Sequence, residues 1–232
     1  DEATSARVAA YFDLDGTLLG VNSARLWLRR EWRHGRITPW QVVRAVAFLL
    51  AYRTGMVDIE NATREALITA RGLEEEVVRG WTRDWFDEEV ARHAAPGGWP
   101  TIDAHRERGH VLVLLTSSSP YAAERAADLF GMDAWLSSRY EVNGGRFTGE
   151  PELPLCYGAG KIHHAVQHAH EAGIDVTGSF FYTDSYTDLP MLRYVQNPRA
   201  VDPDLRLRLT ARRLGWPVLD WSTPDPPVLA DP

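Results

Sequence analysis

The chain has 232 residues, 44% of them hydrophobic and 25% charged, and a net charge of −7. That length suits one domain with a large insertion, or two small domains. The lack of any dense basic run weighs against a nucleic-acid binder; a single cysteine, Cys156, excludes an intrachain disulfide and agrees with a reducing, cytoplasmic setting.

The chain opens at Asp1 and not at a methionine, so the expectation is that residues have been removed ahead of it; no secretory h-region stands in what remains. The longest apolar run, Ala45 to Tyr52, falls far short of the roughly 20 residues a bilayer requires. It reads as one face of a buried helix. Arginine outnumbers lysine 24 to one. Unless that is chance, the lone ammonium of Lys161 marks a place that wants a compact cation instead of a planar fork.

Arg7 to Phe12 is a short apolar run ending at Asp13 and reads as a buried strand. From Asn22 to His93 the pattern turns helical. Ser23 to His34 runs to a C-cap at Gly35; Thr38-Pro39 opens a second helix over Trp40 to Arg53. Asp58 to Arg71 and Glu74 to His93 follow, and Pro96-Gly97-Gly98 closes the block. Then strand and helix alternate: helix from Trp99 to Arg108, strand from Val111 to Leu115, and helix from Tyr121 to Phe130 behind Ser119-Pro120. A hairpin over Arg139 to Phe147 turns at Asn143-Gly144-Gly145. Helix Lys161 to Ala172, strand Ser179 to Tyr182, helix Asp188 to Tyr194, a short segment at Ala200-Val201 and helix Leu205 to Leu214 complete the series. The tail after Asp220 is rich in proline and reads as loosely held.

This alternation predicts an α/β fold with a doubly wound, Rossmann-like parallel sheet. The core spans residues 5–20 and 95–221, an all-helical cap of residues 21–94 follows the first strand, and 222–232 form the tail. In open α/β sheets functional groups gather at the carboxyl ends of strands. Three apolar strands end in polar residues: Asp13-Leu14-Asp15, Thr116-Ser117 and Thr183-Asp184. Asp13 and Asp15, two apart, face one way if the chain is still extended. With Asp184 and Asp188 they make four carboxylates, which repel unless a divalent cation joins them; an oxygen-only donor set favours Mg²⁺. Each Asp taken singly also reads as a turn or cap residue, Asp188 as a helix N-cap above all.

YFDLDGTLL, LLTSSSP, the helix-borne Lys161 and YTDSYTDLPML resemble, in order, the four motifs of the haloacid dehalogenase superfamily. The nearest resemblance is to its phosphoserine-phosphatase-like branch, through NGGRFTGEP, CYGAGK and GWPVLDW. The resemblance implies a Mg²⁺-dependent phosphomonoester hydrolase acting through an aspartyl phosphate. Asp13 would be the nucleophile and Asp15 the acid and then the base. Thr116 and Ser117 would hold phosphoryl oxygens, and Lys161 would neutralise charge. Asp13, the Asp15 carbonyl and Asp184 would hold the metal, and Asp188 would orient Lys161 or a metal-bound water. The branch carries a substrate-greeting glutamate where this chain has Asn22, which points away from phosphoserine and leaves histidinol phosphate or another small ester open. Arg64 is a candidate for a substrate carboxylate. A phosphotransferase or mutase using the same aspartyl phosphate, and a silent phosphate-binding module, are the alternative functions.

Two further clusters offer a site but read better as ordinary surface: the arginines 25, 29, 33 and 36 as a solvated stripe and not as an anion-binding cap face, and His163, His164, His168 and His170 as an exposed helix face, although the i, i+4 pair His164 and His168 has a spacing that can bind zinc. The sequence assigns no oligomeric state.

Overall fold

The computed structural model describes residues 7–35, 38, 58–224 and 229. The expected helix over Trp40 to Arg53, and Arg36 of the arginine stripe, lie outside these residues. The first strand, β1 (Ala9–Phe12), is buried throughout because every side chain of AAYF meets apolar partners on one face or the other, as in a doubly covered sheet. It lies between β2 (Val111–Leu115) and β6 (Phe180–Thr183), parallel to both. With β3 (Ala134–Leu136), β7 (Asn197–Val201) and β8 (Val218–Leu219) the six strands run in the order β3-β2-β1-β6-β7-β8. Every pair in that sheet is parallel, so all the strand tips that carry polar residues emerge along one edge.

One apolar cluster fills each face of the sheet. Phe12, Leu112, Leu114 and Tyr182 point into the first; Tyr11, Val113, Leu115 and Phe181 into the second. This is the period-two alternation of a strand with both faces covered. The helices α4 (Gly98–Glu107), α5 (Pro120–Phe130), α6 (Gly160–Ala172), α7 (Leu189–Tyr194) and α8 (Leu205–Leu214) connect the strands. Helix α5 starts as its sequence demands: Ser119 accepts a bond from the Ala122 N–H, and Pro120 fills the first turn.

The inserted region holds α1 (Ser23–Arg33), α2 (Ile59–Ile68) and α3 (Glu75–Trp85). The helix expected to run unbroken to His93 instead passes into a π turn, Phe86–Val90, and a 3₁₀ turn, Ala91–His93. The wider turn lets Trp85, Phe86 and Val90 all reach the cluster that holds Phe12 and Leu14. Packing at these residues overrides regular helix geometry.

The hairpin β4 (Arg139–Asn143) and β5 (Arg146–Glu152) runs five residues beyond its expected end. Gly144 and Gly145 both have positive φ, as a two-residue hairpin turn requires. The hairpin leans on the inserted helices: Gly72 N–H donates to the Phe147 carbonyl at 2.9 Å and Phe147 N–H to the Leu73 carbonyl at 3.1 Å. The tail also departs from expectation at its start. Trp221 is buried and stacks on Tyr182 at 5.5 Å, and Leu229 packs against the same cluster.

Candidate active site

Asp13 is the first residue past β1, and its N–H donates to the Tyr182 carbonyl of β6 at 2.9 Å. The parallel register fixes what stands beside it. Phe12 is level with Leu114 and Tyr182, so Asp13 comes level with Leu115 and Thr183, and the residues that follow β2 and β6, Thr116 and Asp184, stand one residue beyond it on its two sides. Thr116 is buried, and its hydroxyl accepts the Ser118 N–H at 3.2 Å. Ser117 lies between them at intermediate burial.

The chain after Asp13 turns at Gly16 with φ +81, and a Cβ there would stand 2.4 Å from Oδ2 of Asp184. Only glycine permits that approach. Thr17 holds the same junction from the other side. Its hydroxyl accepts the Asp184 N–H at 3.0 Å and donates to Oδ1 at 3.4 Å. The carboxylate of Asp184 is thereby pressed against the turn that carries Asp13 and Asp15.

Lys161 enters from α6. The glycines of CYGAGK explain its placement: a Cβ on Gly160 would meet the Leu155 carbonyl oxygen at 2.0 Å, so only a bare backbone can begin the helix so close to the preceding loop. Lys161 is 1% exposed. Its Nζ donates to Oδ1 of Asp13 at 3.0 Å and to Oδ2 of Asp188 at 2.7 Å. Asp188 occupies the N-cap position of α7 yet makes no side-chain cap bond. Its Oδ2 instead accepts from Lys161 and from the Thr183 hydroxyl at 2.8 Å. The capping reading of Asp188 is thereby replaced by a buried ion pair.

Asp15 is held by groups that sequence reasoning did not single out. Ser23, the first residue of α1, donates its N–H to Oδ1 at 2.7 Å and its hydroxyl to Oδ2 at 2.9 Å; the Ser118 hydroxyl donates to Oδ2 at 3.0 Å. Ser23, Ser118, Thr17 and Thr183 are ordinary hydroxyl residues in sequence. The one available signal was that Thr17, Ser118 and Thr183 sit inside strand-tip motifs.

The electrostatics follow from crowding. Burial pushes the Asp13 carboxyl up to about 7; the Asp188 and Asp15 charges add to this, and Lys161 opposes it. Burial also raises Asp15, against the three bonds from Ser23 and Ser118. For Lys161 burial works against the ammonium, but Asp13 and Asp188 outweigh it, so the side chain is held above its ordinary value and stays charged. One ammonium therefore serves several carboxylates, which leaves the cluster short of positive charge. Cys156 is inert beside it, its thiol pushed up to about 12 by burial.

Among the described residues no three His, Cys, Asp or Glu side chains gather closely enough to hold a metal by themselves. The expected set needs only two, Asp13 and Asp184, completed by the Asp15 carbonyl. These are hard oxygen donors, and the close approach of Asp184 to Gly16 suits the requirement of a small divalent cation for converging oxygens. The donor set fits Mg²⁺.

The side chains of the two remaining candidates make other contacts. Asn22 is the N-cap of α1, its side-chain oxygen accepting the Arg25 N–H at 3.2 Å. Arg64, on α2, donates to Glu150 of the hairpin at 2.7 Å and to Asn61 at 3.2 Å. Neither contact belongs to the strand-tip cluster. In the histidine series, His164 bonds the Pro154 carbonyl at 2.8 Å, and His163 and His170 are exposed.

A strand-borne carboxylate paired with a buried lysine, on a six-stranded parallel sheet with a helical insertion after β1, defines a class of hydrolase. The chain belongs to the haloacid dehalogenase-like hydrolase family, whose model matches residues 10–193. It is 32% identical over 226 residues to the "Inhibition of morphological differentiation protein" of Streptomyces azureus, covering 94% of this chain and 80% of that one. It is 28% identical over 217 residues to a histidinol-phosphatase of Neisseria meningitidis serogroup C (strain 8013), covering 91% and 98%. A solved phosphoserine phosphatase, captured as a phospho-aspartyl intermediate analogue, superposes with a TM-score of 0.67 at 18% identity over 95% of this chain and 96% of that one, and shares its fold. The expected superfamily and its phosphoserine-phosphatase-like branch both hold, and the chain is an enzyme of the phosphatase class. Among the described residues no helix is long and apolar enough to cross a membrane.

Proposed function

We propose that this phosphatase is Mg²⁺-dependent and hydrolyses small phosphate monoesters through a phosphorylated Asp13. The observation that supports this most is the pairing of buried Lys161 with Asp13 at 3.0 Å: a fixed cation stands where a carboxylate must approach an anionic ester. Asp13, the Asp15 carbonyl and Asp184 would hold Mg²⁺, which would supply the remaining positive charge that such an approach needs.

The chain's own groups divide the work. Asp13 attacks phosphorus while the bond to the leaving alcohol breaks. Asp15, fixed by Ser23 and Ser118, gives its proton to that alcohol and then takes one from the water that cleaves the aspartyl phosphate. Thr116 and the Ser117 N–H hold phosphoryl oxygens, and Asp188 keeps Lys161 aimed at Asp13. Substrate choice falls to the inserted helices, with Asn22 and Arg64 as candidate contacts.

The test is release of phosphate from p-nitrophenyl phosphate with Mg²⁺ and then with EDTA. The reading requires activity that EDTA removes and that Asp13→Asn lowers by at least about a thousandfold. Unchanged turnover in Asp13→Asn refutes the nucleophile. Phosphate appearing on an added alcohol instead of in solution favours a phosphotransferase.

A further inference from the structure

A fourth strand tip reaches the site. Strand β7 lies beside β6, with Thr183 level with Ala200, and the chain after it turns sharply at Asp202-Pro203. Asp202 has φ +40 and is the only non-glycine residue with positive φ among those described. A side-chain-bearing residue held there is costly and marks a turn that surrounding contacts impose. The turn delivers Asp204 back over the end of β6.

Asp204 then grips the loop between the two motif carboxylates at two points. Its N–H donates to the Asp184 carbonyl at 2.9 Å. Its Oδ2 accepts the Tyr186 N–H at 2.8 Å, while Oδ1 caps α8 through the Leu207 N–H at 2.9 Å. Two residues on, the Arg206 guanidinium lies 4.1 Å from the centre of the Tyr186 ring and covers the same loop. The loop thus has one wall in Thr17, which bonds Asp184, and the other in Asp204.

We propose that Asp204 is a positioning residue of the phosphatase site. By clasping residues 184 and 186 it sets the Asp184 carboxylate for metal binding and keeps Asp188 in line with Lys161. This rests on the Mg²⁺ reading above. Groups one step removed from a metal commonly matter for affinity because they fix the ligand's orientation.

Asp204→Ser separates the clasp from the cap. Serine caps helices about as well as aspartate, but its single short oxygen cannot serve Leu207 and Tyr186 together. Wild type and variant are titrated with Mg²⁺ alone, following the melting temperature, and then assayed on p-nitrophenyl phosphate across the same Mg²⁺ range. The expected result is an unaltered melting temperature without metal and a half-saturating Mg²⁺ concentration raised about tenfold, with turnover recovering at high Mg²⁺. Should the serine variant fail to fold, Tyr186→Pro set against Tyr186→Ala removes the same N–H without touching Asp204. Half-saturation equal to wild type in Asp204→Ser, or equal in the Pro and Ala variants, overturns the clasp while leaving the Mg²⁺ reading intact. A wild-type chain that shows no Mg²⁺ response overturns both.

Discussion

The floor of the site and the inserted helices above it are held by opposite kinds of interaction. On the floor, the chain's only lysine is sealed between Asp13 and Asp188 with side-chain exposures of 2%, 10% and 3%. In the insertion, arginine is the cation and the pairs are far more accessible to solvent: Arg33 with Glu89, Arg64 with Glu150, and Arg79 with Glu124. Exposed pairs of this kind contribute little and exchange partners readily. A buried pair cannot lose one member without stranding a charge. The geometry at the strand tips thus rests on a few contacts that cannot be exchanged, whereas the pairs of the inserted helices can be.

That contrast is broken most severely at Lys161. Lys161→Ala leaves two buried carboxylates facing each other and is expected to abolish turnover and to destabilise the fold by about 3–5 kcal/mol, read by denaturant unfolding. Lys161→Arg fails to restore activity, because a planar fork does not fit between carboxylates set for a compact ammonium. Arginine that works as well as lysine there would make the floor no more particular than the insertion.

The next effect is on the dependence of stability on pH. In the metal-free fold burial raises Asp13 from 3.8 to about 7, so the folded chain binds that proton more tightly than the unfolded chain does. The stability this group contributes is full below about pH 4 and is lost as pH rises through 7. Melting temperatures in EDTA are expected to fall across that window in the wild type and to stay flatter in Asp13→Asn. Parallel profiles would remove Asp13 as the cause.

Smaller again is Ser23→Ala, which deletes the hydroxyl donated to Asp15 at 2.9 Å but keeps the N–H bond at 2.7 Å. A drop of about fivefold in kcat with KM little changed is expected, a fraction of what general acid–base catalysis supplies. Ser23 is also the first residue of α1, so an effect on KM instead would show that it acts through the insertion and not through Asp15. The smallest effect belongs to Arg64→Ala. It should leave turnover of p-nitrophenyl phosphate within about twofold, as an exposed pair allows, and alter only the ranking of a panel of carboxylate-bearing phosphate esters.

The same contrast decides what the sequence disclosed. Strands β1, β2 and β6 were legible because both of their faces are covered and the residues form unbroken apolar runs. The edge strands β3 and β8, three and two residues long, are too short to carry a period. Asp13, Lys161 and Asp184 were legible through motif likeness and the solitary lysine. Asp188 carried two readings that only its bond to Lys161 could separate. Ser23, Thr17 and Asp204 act on partners that the fold, and not the chain, brings near: Thr17 and Asp184 are 167 positions apart. No local pattern records such a meeting. The π turn at Phe86–Val90 was hidden for a related reason, since helix propensity continued where packing against the sheet required an extra residue.

The central claim is that Asp13 carries the phosphoryl group in turnover. Acid-quenching the enzyme during hydrolysis and mapping its peptides by mass spectrometry tests this directly. The account predicts one added phosphoryl group on the peptide holding residue 13, absent in Asp13→Asn. Active turnover with phosphate found only on another side chain would contradict it.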